Sequence, residues 1–292
     1  MKRFACLSLA SLLVSAAALP AAWAQTPTDP DLAPPKVLVI FREFTKPGKS
    51  GSVHEKSETN FVKAMQAAKW PVHYLGMESV TGINRALFLT GYDSYDAWQK
   101  DNDAQAKNAA LSAANDHAWT VDGELLASTD ASVWNFRGDL SLAGSSPIDI
   151  ATMRYMEIMQ FKAKPGHEQE FEEVVKMYKT AYGKAAPSMT WAVYENQYGH
   201  EDGDVYLVMF PRKSLAEIDK GFSDDKTVMT GLGDAGQKKI AELTAASTES
   251  SQVNLFHFNP KMSYMSDRAI ATDPSFWKPK PAAAPKPAAP AQ

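Results

Sequence analysis

The chain has 292 residues, a formal net charge of −4 at pH 7 and 45% hydrophobic residues, so it can build an ordinary hydrophobic core. It has an acidic balance and no basic stripe with interleaved aromatic residues, which argues against nucleic acid as a partner. Its single cysteine, Cys6, lies in the apolar N-terminal stretch. We therefore expect a mature chain without disulfides, thiolate catalysis or cysteine-ligated metals.

The N-terminus has the pattern of a secretory signal peptide over residues 1–24. Two basic residues precede an Ala/Leu-rich stretch that ends with AWA at 22–24, the small-x-small pattern that signal peptidase cuts. The apolar run 4–19 is shorter than the roughly 20 residues that a membrane-spanning helix needs. We predict a periplasmic or secreted protein that begins at Gln25, has no transmembrane segment and continues through a linker, 25–35.

Residues 36–140 form a first unit with four predicted strands and two predicted helices. An alternating strand, KVLVIFREF at 36–44, ends at a Pro-Gly turn, because proline cannot continue a strand ladder and glycine supplies the turn. A helix, a hairpin of two strands, a second helix and a fourth strand follow. Their markers are, in order, Phe61 with Met65 and Ala68, PVHYLGMES at 71–79, RALFLTGY at 85–92, DSYDAW at 93–98 and VWNFR at 133–137.

After a linker at 141–151, residues 152–265 repeat the same order of patterns. The second Pro-Gly turn follows RYMEIMQF at 154–161, and the next helix carries an apolar stripe at helical spacing. We read the glycine-rich stretch TGLGDAG at 230–236 as a loop before a helix. The remaining markers are the strands MTWAVYENQ at 189–197, VYLVMF at 205–210 and LFHFN at 255–259, with a helix start at KSLAEI, 213–218.

The C-terminal residues 266–292 are predicted to be a disordered tail. KPKPAAAPKPAAPAQ at 278–292 is rich in proline, alanine and lysine, and such a composition buries too little apolar surface to offset chain entropy.

A βαββαβ order in each half is the ferredoxin-like split β-α-β arrangement, whose helices cover only one face of the sheet. Two such units bury their bare faces if their sheets pack together. Over roughly 36–260 the chain resembles the dimeric α+β barrel superfamily in a tandem-fused form. The resemblance implies an α+β fold of two ferredoxin-like units packed sheet to sheet as a pseudo-twofold barrel, hence a self-contained pseudo-dimer. The superfamily includes cofactor-free monooxygenases, isomerases and heme proteins, so the resemblance does not select an activity.

Two polar residues are the candidate catalytic groups. Glu157 interrupts the apolar run of the first strand in the second unit, and His257 lies in the fourth strand, which neighbours the first in a ferredoxin-like sheet. A carboxylate beside an imidazole facing the barrel interior would be an acid/base couple. The alternative interpretation is a polar pair at a strand end or on a wet face. Asn135 occupies the position of His257 in the first unit.

A pocket between the two sheets would be lined by aromatic residues. Tyr74, Trp191 and Tyr194 in the second strands are candidates to bind a small hydrophobic or aromatic molecule, although such residues also pack ordinary cores. His117 is a candidate for the rim of the barrel mouth.

The histidines form no HxH, HxxxH or HExxH motif, so no metal site is predicted. His54, His167 and His200 are expected to be solvated. No cofactor is predicted, but a heme-binding protein with His257 or His117 as axial ligand stays open.

Three functions follow from the sequence. The first is an exported small-molecule-binding or envelope-associated barrel protein. The second is an enzyme of the cofactor-independent oxygenase or isomerase type, and the third is a heme-binding protein. No catalytic signature decides whether the chain is an enzyme.

Overall fold

The computed structural model describes residues 33–143, 148–199 and 203–278. The predicted signal peptide, most of the linker after it and the end of the predicted tail lie outside these residues. Eight strands form the sheet: β1 (Val37–Thr45), β2 (Tyr74–Ser79), β3 (Arg85–Tyr92), β4 (Leu126–Phe136), β5 (Tyr155–Ala163), β6 (Ala192–Tyr198), β7 (Val205–Arg212) and β8 (Thr248–Phe258).

The strands close into one antiparallel barrel in the order β1-β3-β2-β8-β5-β7-β6-β4. Within each half the order is fourth, first, third, second. The halves meet at two seams, where β2 pairs with β8 and β4 pairs with β6. The sequence predicted two sheets pressed face to face, and the structure adds hydrogen bonding at their edges. Among the eight strands of the described residues, closure leaves no edge strand to pair with another chain.

Helices cover the outside of the barrel. The sequence predicted two in each half, whereas the first half has three and the second has a long helix in the place of the predicted glycine-rich loop. That helix is broken at Gly233, whose φ of 62° is non-helical. The helices are α1 (Ser52–Ala68), α2 (Tyr95–Lys107), α3 (Ala109–Asp122), α4 (Glu168–Ala185) and α5 (Ala216–Ser247). No helix in the described ranges is both long and apolar enough to span a membrane.

The two Pro-Gly turns lie where the sequence predicts them, between the first strand and first helix of each half. Gly48 and Gly166 have φ values of 75° and 81°, in the left-handed region that favours glycine. Each turn therefore reverses the chain from the sheet onto its outer face.

The barrel interior is packed with apolar side chains from both halves. Leu38 and Ile40 of β1 meet Met156 and Ile158 of β5 there, so the two units share one core. A cavity of about 40 Å³ lies at one end, next to Arg42, and is far smaller than a typical ligand site of ~300–1,000 Å³. This cavity is too small to be the predicted ligand pocket between the sheets, which stays a prediction.

The segment after β8 is ordered for longer than predicted. Residues 266–277, assigned to the disordered tail, contain α6 (Asp267–Thr272) and α7 (Pro274–Trp277). Trp277 is buried in the interior core and donates from its indole to the Ala151 carbonyl at 2.8 Å. Burial of this tryptophan supplies the apolar contact that the alanine- and proline-rich end of the tail lacks.

Candidate metal centre

A cluster of four ionisable side chains lies between the sheet and the helices of the first half. On β1, Leu38 and Ile40 face the interior core, so Glu43 faces outward toward the helices. His54 lies in the first turn of α1, and Glu58 follows one turn later on the same helix face. Asp122 is the last residue of α3.

The four residues converge on His54. Its Nε2 is 2.9 Å from Glu43 Oε2, 3.6 Å from Asp122 Oδ1 and 3.8 Å from Glu58 Oε1. One ligand atom from each residue lies within 4.8 Å of each of the others. Three carboxyl groups and one imidazole thus surround a single point.

The cluster is closed to solvent. His54 is 1% exposed, Asp122 is 0% exposed, and the two glutamates are also buried. Both Asp122 carboxylate oxygens and Glu58 Oε1 lack a hydrogen-bond partner among the described residues. A buried carboxylate without a donor is unfavourable unless it is paired or binds a cation. Asp122 is further disfavoured because it ends α3, where the helix dipole is negative.

Burial and the closeness of the ionisable groups raise pKa values in the cluster. Burial raises the pKa of Glu43, and it raises the pKa of Glu58 well above the ordinary value, with the charges of Glu43 and Asp122 acting in the same direction. Burial opposes the charged form of His54, but the hydrogen bond to Glu43 and the nearby carboxylates outweigh it, so the His54 pKa is raised. Without a cation, the cluster must therefore hold protons to reduce its negative charge.

The donor set suits a divalent metal ion. Carboxylate and imidazole ligands bind Zn²⁺ at roughly 2.0–2.2 Å, so ligand atoms around one ion are at most ~4.4 Å apart. The separations from His54 fall inside that limit, and the widest separation in the cluster needs only a small contraction. Mixed nitrogen and oxygen donors without sulfur are typical of zinc, iron or manganese sites.

A second layer of polar groups surrounds the cluster. The Tyr74 hydroxyl is buried without a partner among the described residues, and burial together with the Glu58 and Glu43 charges raises its pKa. Glu78 accepts hydrogen bonds from Asn259, at 2.7 Å, and its contact with His257 lowers its pKa. Tyr74, a predicted ligand-binding residue, thus lies close enough to Glu58 and Glu43 for their charges to act on it.

The predicted Glu157–His257 couple does not form. His257 is opposite Tyr155 on β5, and its Nε2 is 3.3 Å from Glu78. Glu157 is opposite Leu255 and instead binds Arg212 at 2.9 Å. Phe256 and Phe258 flank the histidine and point into the interior core, so His257 faces outward and is half exposed. The register of the strands, which the sequence does not specify, separates the two groups.

The other predicted ligand residues lie apart from one another. Asn135 is on the outer surface, bonded to Tyr95 and Gln197. Trp191 packs in the outer core of the second half, and Tyr194 lies in the interior core. His117 is exposed on α3.

One sequence pattern indicates part of this site, but it is not one of the histidine motifs considered above. His54 was expected to be solvated, and this was wrong: it is enclosed by Glu43, Glu58 and Asp122. The pair His-x₃-Glu at 54 and 58 places two metal-binding side chains on one helix face, as HxxxH does. No local pattern indicates Asp122, because only the packing of α3 against α1 brings it to the cluster.

Comparison with known proteins identifies the fold but no family. No protein-family model matches the chain, and no curated protein sequence matches it. An anthrone oxidase-like protein of known structure has a TM-score of 0.50 at 15% identity, covering 78% of this chain and 93% of its own. A monooxygenase-like protein from Fusobacterium nucleatum gives 0.49 at 12%, covering 76% and 91%. Chlorite dismutase from Candidatus Nitrospira defluvii, in complex with imidazole, gives 0.47 at 9%, covering 83% and 97%. The chain thus has a mixed α+β fold like that of the anthrone oxidase-like protein.

Proposed function

We propose that this protein binds one divalent transition-metal ion through Glu43, His54, Glu58 and Asp122. The observation that carries the proposal is the Asp122 carboxylate, which is fully buried at a helix C-terminus and accepts no hydrogen bond from an N–H or hydroxyl group of the described chain. An ion bound to Nε2 of His54 would replace the hydrogen bond to Glu43 and supply charge to the unpartnered oxygens. It would join β1, α1 and α3 at one point.

The closed geometry favours a structural or metal-retaining role over catalysis. Catalytic metal sites keep a position open for water or substrate, whereas structural sites are filled by protein ligands. All four ligands here are buried, and the described cavities are lined by other residues. The hypothesis of a cofactor-independent enzyme relied on a Glu157–His257 acid/base couple. This couple is absent, since Glu157 contacts Arg212 and His257 contacts Glu78. The heme reading gains no support from His257 or His117, neither of which lines those cavities.

Metal content of the purified full chain tests the proposal. Protein purified without chelators or affinity metals would be dialysed and measured by inductively coupled plasma mass spectrometry, before and after incubation with Mn²⁺, Fe²⁺ or Zn²⁺. We expect about one ion per chain for the preferred metal, because the site has one donor centre. His54→Ala should lower this to background, and Glu58→Gln should weaken binding while preserving shape.

His167→Ala is the matched control. His167 precedes α4 in the second half, as His54 begins α1 in the first, but it is exposed. It should retain full metal content. A wild-type chain that binds none of the three metals, or a His54→Ala variant that binds as much as His167→Ala, would refute the proposal.

We further infer that the protein acts outside the cytoplasm and that its halves are copies of one ferredoxin-like unit. The leader pattern at 1–24 and the lack of cysteine after Cys6 support export, and the shared strand order supports the duplication. N-terminal sequencing of the protein from a periplasmic fraction tests export. We expect it to start at Gln25, and an intact cytoplasmic chain would contradict it.

A further inference from the structure

The second half contains a cleft of about 600 Å³ that the metal centre does not involve. Pro211 and Arg212 at the end of β7 line it, as do Met189 in the connection before β6 and Met153 before β5. Lys213 and the first turns of α5 complete its edge. This volume falls within the range of small-molecule sites, ~300–1,000 Å³.

Arg212 is held in a fixed position at this cleft. Its Nη2 donates to Glu157 at 2.9 Å, its Nη1 contacts the sulfur of Met189 at 3.6 Å, and the guanidinium lies 5.2 Å from the Phe210 ring centre. Its Nε is buried without an acceptor among the described residues. These contacts fix the guanidinium, and its positive charge lies at the lining of the cleft.

The charges around the cleft leave one cation uncompensated. The acidic side chains that line it already have partners: Asp149 binds Arg268 at 2.7 Å, and Asp224 binds Lys220 at 2.6 Å. Glu217 accepts from the backbone N–H of Lys213 at 2.8 Å. The Lys213 ammonium is exposed and has no ion-pair partner in the described parts of the chain.

Apolar side chains form the rest of the lining. Met153, Met189 and Pro211, with Ile148, offer flexible and apolar contact surface beside the Arg212 guanidinium. The cleft therefore combines the Arg212 guanidinium and the unpaired Lys213 ammonium with an apolar wall.

We propose that this cleft binds a small organic monocarboxylate. The Lys213 ammonium takes the carboxylate beside the Arg212 guanidinium, and the methionine side chains contact the apolar body. Charge-assisted hydrogen bonds stabilise the bound carboxylate group, and a neutral molecule of the same shape cannot form them. This site is separate from the metal centre and does not depend on it.

Titration of the full chain with benzoate and hexanoate, followed by calorimetry and ligand-observed NMR, tests the proposal. Benzyl alcohol and hexanol are the matched neutral probes. We expect at least one of the two carboxylates to saturate a single site and its alcohol to bind at least tenfold more weakly. Lys213→Ala should weaken carboxylate binding at least fivefold. Arg212→Lys, which keeps a cation for Glu157 but removes the planar guanidinium from the cleft lining, should do the same.

Lys226→Ala is the control, because Lys226 is an exposed lysine of α5 outside the cleft lining. It should bind like the wild type. If Arg212→Lys fails to fold, the Lys213→Ala variant alone tests the proposal. The Lys213 side chain is exposed, so its removal should not disturb folding. Failure of both carboxylates to bind, equal binding of an alcohol, or a Lys213→Ala variant indistinguishable from Lys226→Ala would overturn the proposal.

Discussion

The two halves place different chemistry at the same point of the same strand order. β1 has a bulge just before Thr45 and β5 has one just before Ala163. Two residues earlier, Glu43 stands in the first half where Phe161 stands in the second. Phe161 packs against Phe171 of α4 with ring centres 5.7 Å apart, whereas Glu43 meets His54 of α1.

The difference shows that the fold does not require polar groups between sheet and helices. In the second half, Phe161, Phe171 and Tyr206 fill this layer, the last two stacked at 4.6 Å. An apolar layer of that kind stabilises a fold by burial alone. Buried ion pairs contribute less, and often nothing net, because desolvation offsets their attraction. The acidic layer of the first half is therefore better explained by a cation than by folding.

The largest effect should come from breaking the aromatic layer. Phe171→Ala removes a fully buried ring and should lower the free energy of unfolding by ~3–5 kcal/mol. Urea unfolding would measure this loss, and it should be the same with and without added metal. A loss that disappears when metal is added would show that the two layers are not independent.

A smaller and opposite effect should follow from making the first half resemble the second. In chelator-treated protein, Glu58→Met removes one of three crowded carboxyls and should leave stability unchanged or raise it by up to ~4 kcal/mol. The variant should lose the stabilisation that metal gives to the wild type. Glu170→Met, at a partly exposed position of α4, is the control. A strongly destabilised, metal-free Glu58→Met protein would mean that Glu58 supports the fold itself.

The pH dependence of stability in the metal-free protein should also distinguish the acidic cluster of the first half from the apolar layer of the second. Glu43, Glu58 and His54 have pKa values raised above the ordinary 4.5 and 6.5, so the folded state binds more protons than the unfolded state. The stability from these protons is present below the ordinary values and is lost as pH rises through the raised ones. Unfolding of chelator-treated protein should therefore show stability falling as the pH rises above the ordinary pKa values of 4.5 and 6.5.

Metal should reverse that trend, because binding requires deprotonated ligands. The stabilisation by a fixed metal concentration should grow over the same pH range. A metal-free Glu58→Met variant should have a shallower pH dependence than the wild type. Identical slopes for the two proteins would contradict the assignment of the effect to the cluster.

The smallest effect is expected for the outer pair of Glu78 and His257. His257 is 43% exposed, so its contact with Glu78 is screened by solvent and should be worth ~0–1 kcal/mol. His257→Ala should change metal affinity by less than threefold in a chelator competition assay. A tenfold loss would place Glu78 and His257 among the groups that orient the metal ligands.

The sequence predicted most of the fold because its patterns are local. Strand alternation and the two Pro-Gly turns depend on neighbouring residues only, and both turns lie where they were predicted. Helix α3 was not predicted, because its apolar pattern is weak. The helices after Ser266 were missed because their stability comes from burying Trp277 in a core assembled from both halves.

The site was predicted poorly because it depends on register and packing. Whether Glu157 or Tyr155 meets His257 depends on strand register, and a change of two residues separates the pair. Asp122 reaches His54 only because α3 packs on α1. Of the four residues in the cluster, only His54 and Glu58 could be predicted from a sequence rule, which is a histidine and a carboxylate four residues apart on one helix.

The most direct test of a metal ion in the first half is anomalous diffraction. Crystals grown with the metal that the chain retains would be measured on both sides of its absorption edge. We expect one strong anomalous peak roughly 2.0–2.2 Å from His54 Nε2 and from oxygens of Glu43 and Asp122. A map with no peak among these side chains, or with metal only at surface residues, would contradict the account.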